Sequence, residues 1–195
     1  MKKDIILSGV GGQGILSIAT VIAWAALDQN LYLKQAEVHG MSQRGGDVQS
    51  NLRLSSQPIF SDLIPKGSCD MVVSLEPMEA LRYIPQLSSD GWIIASTAPL
   101  VNIPNYPPIE SVMEALRAFP NVITLDCDEI AKQAGSPRSA NMVMLGAASA
   151  VMQILEPEHL RSGIENVFYR KGEAVVEANI KAFDAGLEVS KSFRK

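Results

Sequence analysis

Gly9-Val10-Gly11-Gly12-Gln13-Gly14 has the spacing GxGxxG within the first fifteen residues. In such a turn the first glycine permits a tight bend and the second lets backbone approach a ligand. The third lets a following helix pack closely on the preceding strand. Unpaired N–H groups at that helix start favour a phosphate or carboxylate. Gly9, Gly11, Gly12, Gln13 and Gly14 are therefore candidate cofactor-binding residues, with plain strand–helix packing as the competing role. A second constellation brings Glu37, His39 and Arg44 within eight residues, among Gly40, Gly45 and Gly46. A guanidinium can hook an anion and an imidazole can pass a proton near neutral pH. These three are the candidate catalytic residues, because binding groups gather on loops set by a rigid scaffold. The bland alternative is a solvated hairpin with an internal salt bridge. Asn141 follows Ser139, a good N-cap, so its amide falls near a helix mouth and joins the cofactor-binding set. A simple polar cap on a buried helix explains it as well.

Other chemistry is excluded by what the chain lacks. It has two cysteines, Cys69 and Cys127, far apart and without a CxxC pattern, and two histidines. An iron–sulfur cluster usually needs four thiolates and a structural zinc four Cys or His ligands. No metal site is expected, and redox chemistry must use a bound organic cofactor or a partner's metal centres. No Ser-His-Asp, HExxH or paired-carboxylate arrangement stands out, and His159 reads as a solvated residue at a helix start. A dinucleotide site would want an acid ~20 residues beyond the glycines, at the end of a second strand. Glu37 is the candidate there, in a segment unlike an ordinary ribose-binding turn.

These groups need elements to hold them. Asp4 to Gly9 reads as a buried strand and Ile15 to Leu27 as a largely buried helix. Further strands are expected at Leu31–Gln35, Asp47–Leu54, Asp70–Leu75, Gly91–Ser96 and Val122–Asp126. Asp47–Leu54 alternates strictly, which predicts a hairpin or edge strand with one wet face. Helices are expected at Pro77–Ile84, Ile109–Phe119, Ala140–Leu155, Glu158–Val167 and Glu173–Phe193. Strand–helix alternation predicts an α/β fold, Rossmann-like and doubly wound, with a mostly parallel sheet, helices on both faces and a helical C-terminal portion. Pro99–Pro108 reads as a stiff surface loop.

With 195 residues, 47% hydrophobic and 19% charged, the chain suits one domain spanning 1–195, large enough for its own core. A net charge of −4 without Lys/Arg runs argues against a nucleic-acid surface. Glycines interrupt the apolar stretch behind Met1, so no export signal is expected, and no apolar run reaches the ~20 residues of a membrane span. Unpaired cysteines suit a reducing cytoplasm.

Four segments together resemble a known family: Gly9–Gly14, the Ala36–Gly46 loop, Asn141–Gly146 and Asn179–Gly186. They look like the gamma-type domain of 2-oxoacid:ferredoxin oxidoreductases, and the likeness runs from the first strand to the last helix. The His39–Gly46 form of the loop is most similar to the indolepyruvate-type members, and departs from the shorter version in pyruvate enzymes. The resemblance implies a heteromeric enzyme that decarboxylates an arylpyruvate on thiamine diphosphate, passes electrons through iron–sulfur clusters to ferredoxin and releases an acyl-CoA. It implies a larger partner subunit carrying thiamine diphosphate, magnesium and the clusters, with coenzyme A as co-substrate near the glycine turn. The chain has no Gly-Asp-Gly…Asn stretch for the magnesium of thiamine diphosphate, so it is expected to be inactive alone. Two other readings stay open: a stand-alone NAD(P)-dependent oxidoreductase, and a structural or nucleotide-sensing subunit.

Overall fold

The computed structural model describes residues 1–39 and 46–193, with the side chain of His39 left aside. Six strands form one sheet: β1 (Lys2–Val10), β2 (Tyr32–His39), β3 (Asp47–Ser55), β4 (Cys69–Ser74), β5 (Leu87–Ser96) and β6 (Val122–Leu125). Their spatial order is β2-β3-β1-β4-β5-β6. β1, β4, β5 and β6 run parallel, whereas β3 is antiparallel to both β1 and β2. The helices are α1 (Ile15–Asp28), α2 (Pro77–Arg82), α3 (Ile109–Arg117), α4 (Cys127–Gln133), α5 (Ala140–Met152), α6 (Pro157–Phe168) and α7 (Glu173–Ser190).

Alternation along the parallel strands divides the core between the two faces of the sheet. Ile5, Leu7, Met71, Val73 and Ile94 pack with α1, α4, α5, α6 and α7. Ile6, Val72, Ile93 and Ala95 pack with α2 and α3 on the other face. The expected doubly wound sheet is present, and nearly every expected element is found with its ends moved by a few residues.

β3 departs from expectation in a way that matters. It belongs to a hairpin, as its alternation predicts, but it lies inside the sheet and β2 is the edge. Its polar face is wet only at its start: Asp47 is exposed and Gln49 half-buried, but Asn51 is buried, and the guanidinium of Arg53 donates from Nε and Nη2 to both oxygens of buried Asp4. Lys2 Nζ also lies 2.8 Å from that carboxylate. Arg53 Nη1 donates to the carbonyls of Ser61 and Leu63, tying the β3–β4 connection over this face. A paired charge replaced water where alternation alone predicted solvent.

α4 was not expected. Seven residues are too short to display a helical period. The signal was the cap: the Asp126 side chain accepts from the N–H of Glu129, the Asp-x-x-Glu spacing of a capping box.

α5 is buried from Met142 to Met152 and crosses α7 at van der Waals limits. A Cβ on Gly146 would overlap the Phe183 carbonyl, and one on Gly186 would overlap the Val143 carbonyl. The two glycines are reciprocal, each making room for the other helix's backbone. This packing accounts physically for two of the four family-like segments.

Candidate functional site

The glycine turn, the end of β2 and the start of α5 lie at one end of the sheet, where the parallel strands reach their carboxyl ends and open α/β sheets bind ligands. The glycine turn leaves β1 there and enters α1. Gln13 braces it: Oε1 accepts from Val10 N–H at 2.7 Å, and Nε2 donates to the Leu75 carbonyl at 2.9 Å. That links the turn to the end of β4. Gly9 is required because a Cβ would come within 2.7 Å of that same Oε1. Gly11 N–H donates to the Gly46 carbonyl at 2.8 Å, fastening the turn to the start of β3. Gly14 is left-handed at φ 83° and provides no side-chain cap for α1. Asn141 Nδ2 donates to its carbonyl at 3.3 Å. The Asn141 Oδ1 accepts from Met142 N–H.

These bonds sort the expected cofactor-binding residues. Gln13, Gly11 and Asn141 spend their polar groups holding the turn's shape. The N–H groups of Gly12, Ile15 and Leu16 have no hydrogen-bond partner among the described residues. Gly12 has φ 107°, and a Cβ there would meet none of the described residues within 4 Å; it is exposed.

The expected catalytic residues divide differently. Glu37 is exposed on the edge strand, where Gln35 Nε2 donates to its Oε1. His39 is the last residue of β2, in register with Val48, which is in register with Gly9. The end of β2 thus lies level with the glycine turn, two strands and ~10 Å away. Arg44 lies outside the described residues. β3 occupies the place beside β1 that the acid-bearing second strand takes in a dinucleotide fold. Glu37 therefore stands one strand too far out for a ribose bound at the turn.

Sequence reasoning missed a buried acid at the same edge. Glu76, 1% exposed, follows β4 directly after Leu75, the residue whose carbonyl Gln13 binds. Its Oε2 accepts from Glu79 N–H and caps α2. Its Oε1 accepts from Tyr106 O–H and Leu100 N–H. Burial and the adjacent carboxylate raise the Tyr106 phenol above its ordinary value, so it stays protonated and donates. The available signal was an acid at a strand end just before Pro77, the N-cap position of a helix.

His159 differs from expectation. It is half-buried, and its Nδ1 is out of solvent with no partner among the described residues. Both thiols are buried, Cys69 pushed up to about 12 by desolvation and Cys127 further by the same cause. Neither is a ready nucleophile or metal ligand. Among the described residues no three His, Cys, Asp or Glu side chains converge on a metal position, and no helix is long and apolar enough to cross a membrane.

A Rossmann-like α/β domain with a braced glycine turn at the carboxyl ends of its strands is the class that fold and site define. The chain belongs to the pyruvate ferredoxin/flavodoxin oxidoreductase family, whose pattern matches residues 4–189. It is 34% identical to the indolepyruvate oxidoreductase subunit IorB of Methanothermobacter thermautotrophicus, over 95% of this chain and 96% of that one. The fold is similar to the gamma subunit of a keto/oxoacid ferredoxin oxidoreductase from Geobacter sulfurreducens. There the TM-score is 0.75 at 25% identity, covering 100% of this chain and 99% of that one. It is also similar to the Magnetococcus marinus 2-oxoglutarate:ferredoxin oxidoreductase, solved with 2-oxoglutarate, coenzyme A and succinyl-CoA (TM-score 0.76, 23% identity). That match covers 98% of this chain but 31% of the longer chain.

Proposed function

We propose that this chain is the small, gamma-type subunit of a heteromeric indolepyruvate:ferredoxin oxidoreductase. The reaction joins an arylpyruvate and coenzyme A, releases CO2 and an aryl-acetyl-CoA, and passes two electrons to ferredoxin. The observation that carries this reading is full-length likeness to an indolepyruvate oxidoreductase subunit. Two buried, unactivated thiols do not fit a cluster, so the iron–sulfur centres, thiamine diphosphate and magnesium belong to a larger partner subunit. Free thiols suit a cytoplasmic setting.

Within that enzyme this chain's residues bind and orient. Gly12 and the N–H groups at the start of α1 offer an anion seat that suits a phosphate of coenzyme A. Gln13 and Asn141 keep that seat open. Glu37, His39 and Arg44 are the residues assigned to the chemistry beside the partner, Arg44 to hold an anionic group and His39 to move a proton. A stand-alone nicotinamide enzyme is disfavoured by β3, which displaces Glu37 from the ribose position.

The test is to purify the chain with its native partner and assay ferredoxin reduction with indolepyruvate, phenylpyruvate, pyruvate and 2-oxoglutarate. Preference for the aryl substrates, dependent on coenzyme A, is the expected result. A complex preferring pyruvate, or no metal-bearing partner at all, overturns the reading.

A further inference from the structure

The connection from β5 to α3, residues 97–108, is twelve residues long, where connections of 2–6 residues are usual in such folds. From Pro99 to Pro108 it contains no charged side chain in a chain that is 19% charged. Val101 is 66% exposed and Ile103 36%, so the projecting part, which is uncharged and includes Asn102 and Asn105, shows two aliphatic side chains at its surface.

This exposure is not slack. One oxygen of buried Glu76 accepts from the N–H of Leu100 on one side of the projection and from Tyr106 O–H on the other. Prolines 99, 104, 107 and 108 fix φ at four of its ten positions. Burying a carboxylate costs free energy unless donors surround it, and no described lysine or arginine pairs with Glu76. The fold thus commits a buried carboxyl group to holding the exposed Val101 and Ile103 in place, at the sheet edge that bears the glycine turn.

We propose that residues 99–108 form a preformed knob that docks into an apolar socket of the partner subunit, with Glu76 as its positioning residue. This rests on the heteromeric reading above. The occupant is a protein surface because an uncharged, proline-rich tip with two exposed aliphatic side chains matches neither nucleic acid nor a headgroup layer. It is the partner subunit because the same fold forms 31% of a longer chain in the Magnetococcus marinus protein, so further polypeptide accompanies it there. A tip held rigid before contact loses little entropy on docking.

The experiment measures dissociation of the assembled complex on dilution, by mass photometry, together with the melting temperature of each isolated variant. Val101→Asp with Ile103→Asp should raise Kd at least tenfold and leave the melting temperature unchanged, since both side chains face solvent. Tyr106→Phe should raise Kd two- to tenfold in the wild-type background, but not in the Val101→Asp/Ile103→Asp background. That non-additivity marks action through the knob. Phe60→Asp, on the β3–β4 connection near the amino ends of the strands, should leave Kd unchanged. Unaltered Kd for the Val101→Asp/Ile103→Asp pair, or an additive Tyr106→Phe effect, overturns the proposal. So does weakening by Phe60→Asp alone. Failure of the wild-type chain to assemble overturns the heteromeric reading instead.

Discussion

Gly12 and Gly14 stand two residues apart with positive φ, yet their surroundings assign them different work. A Cβ on Gly14 would come within 2.6 Å of Asn141 Nδ2, whereas none of the described residues lies within 4 Å of one on Gly12. Gly14→Ala should therefore destabilise the fold by ~1–3 kcal/mol, read from denaturant unfolding. Gly12→Ala, strained at φ 107°, should cost ~1–3 kcal/mol of stability, and in a complex that still assembles it should raise the KM for coenzyme A more than it lowers kcat. Equal KM in a folded Gly12→Ala complex would leave the turn a packing device. Arg44→Ala should raise the apparent KM for 2-oxoacid or coenzyme A, and His39→Ala should lower kcat more than KM. Each loses a charge-assisted bond of ~1.5–3 kcal/mol, roughly ten- to a hundredfold. Effects under twofold in both would reduce the Glu37–Arg44 segment to a solvated turn. At the thiols, burial raises Cys69 from 9.0 to about 12. A raised acid stays neutral in the fold while its unfolded counterpart ionises. Its contribution to stability is thus full below pH 9 and is lost as pH rises towards 12. Cys69→Ser should flatten the alkaline arm of a pH–stability profile; an unchanged arm would assign the loss to other groups.

The elements differ in how much their own residues announce them. α1, α5 and α7 were legible because apolar-rich stretches run over thirteen or more residues, too long for a strand. The GxGxxG turn was legible because each glycine answers to local backbone demands. β3 was misplaced because an Arg53–Asp4 pair looks like a wet face to any pattern that counts polar residues. The Glu76–Tyr106 contact joins residues thirty apart, and the Gly146–Gly186 crossing joins residues forty apart. Neither distance shows in a local window. At the crossing, Gly186→Ala should cost ~1–3 kcal/mol or more, because both obstacles are backbone and cannot rotate away. A smaller loss would show that α7 can slide on α5. Asp4→Asn should be at least as damaging, ~3–5 kcal/mol, since it strands the Arg53 guanidinium in a mostly buried position.

At the scale of the whole molecule, one end of the sheet gathers the glycine turn, the end of β2, Glu76 and the knob at 99–108. The other end carries the Arg53-tied connection. The long α5–α7 pair and the core beneath it supply rigidity without offering chemical groups. Under the proposed function the end bearing the glycine turn faces the partner subunit, and electron transfer falls to that partner. The most direct measurement is recombination. The chain alone, the partner alone and the two together are assayed for visible cluster absorbance and for indolepyruvate-dependent ferredoxin reduction. A colourless, inactive chain that restores activity to a coloured but inactive partner is the predicted result. Turnover by this chain alone with indolepyruvate or a nicotinamide cofactor, or full activity of the partner without it, would contradict the account.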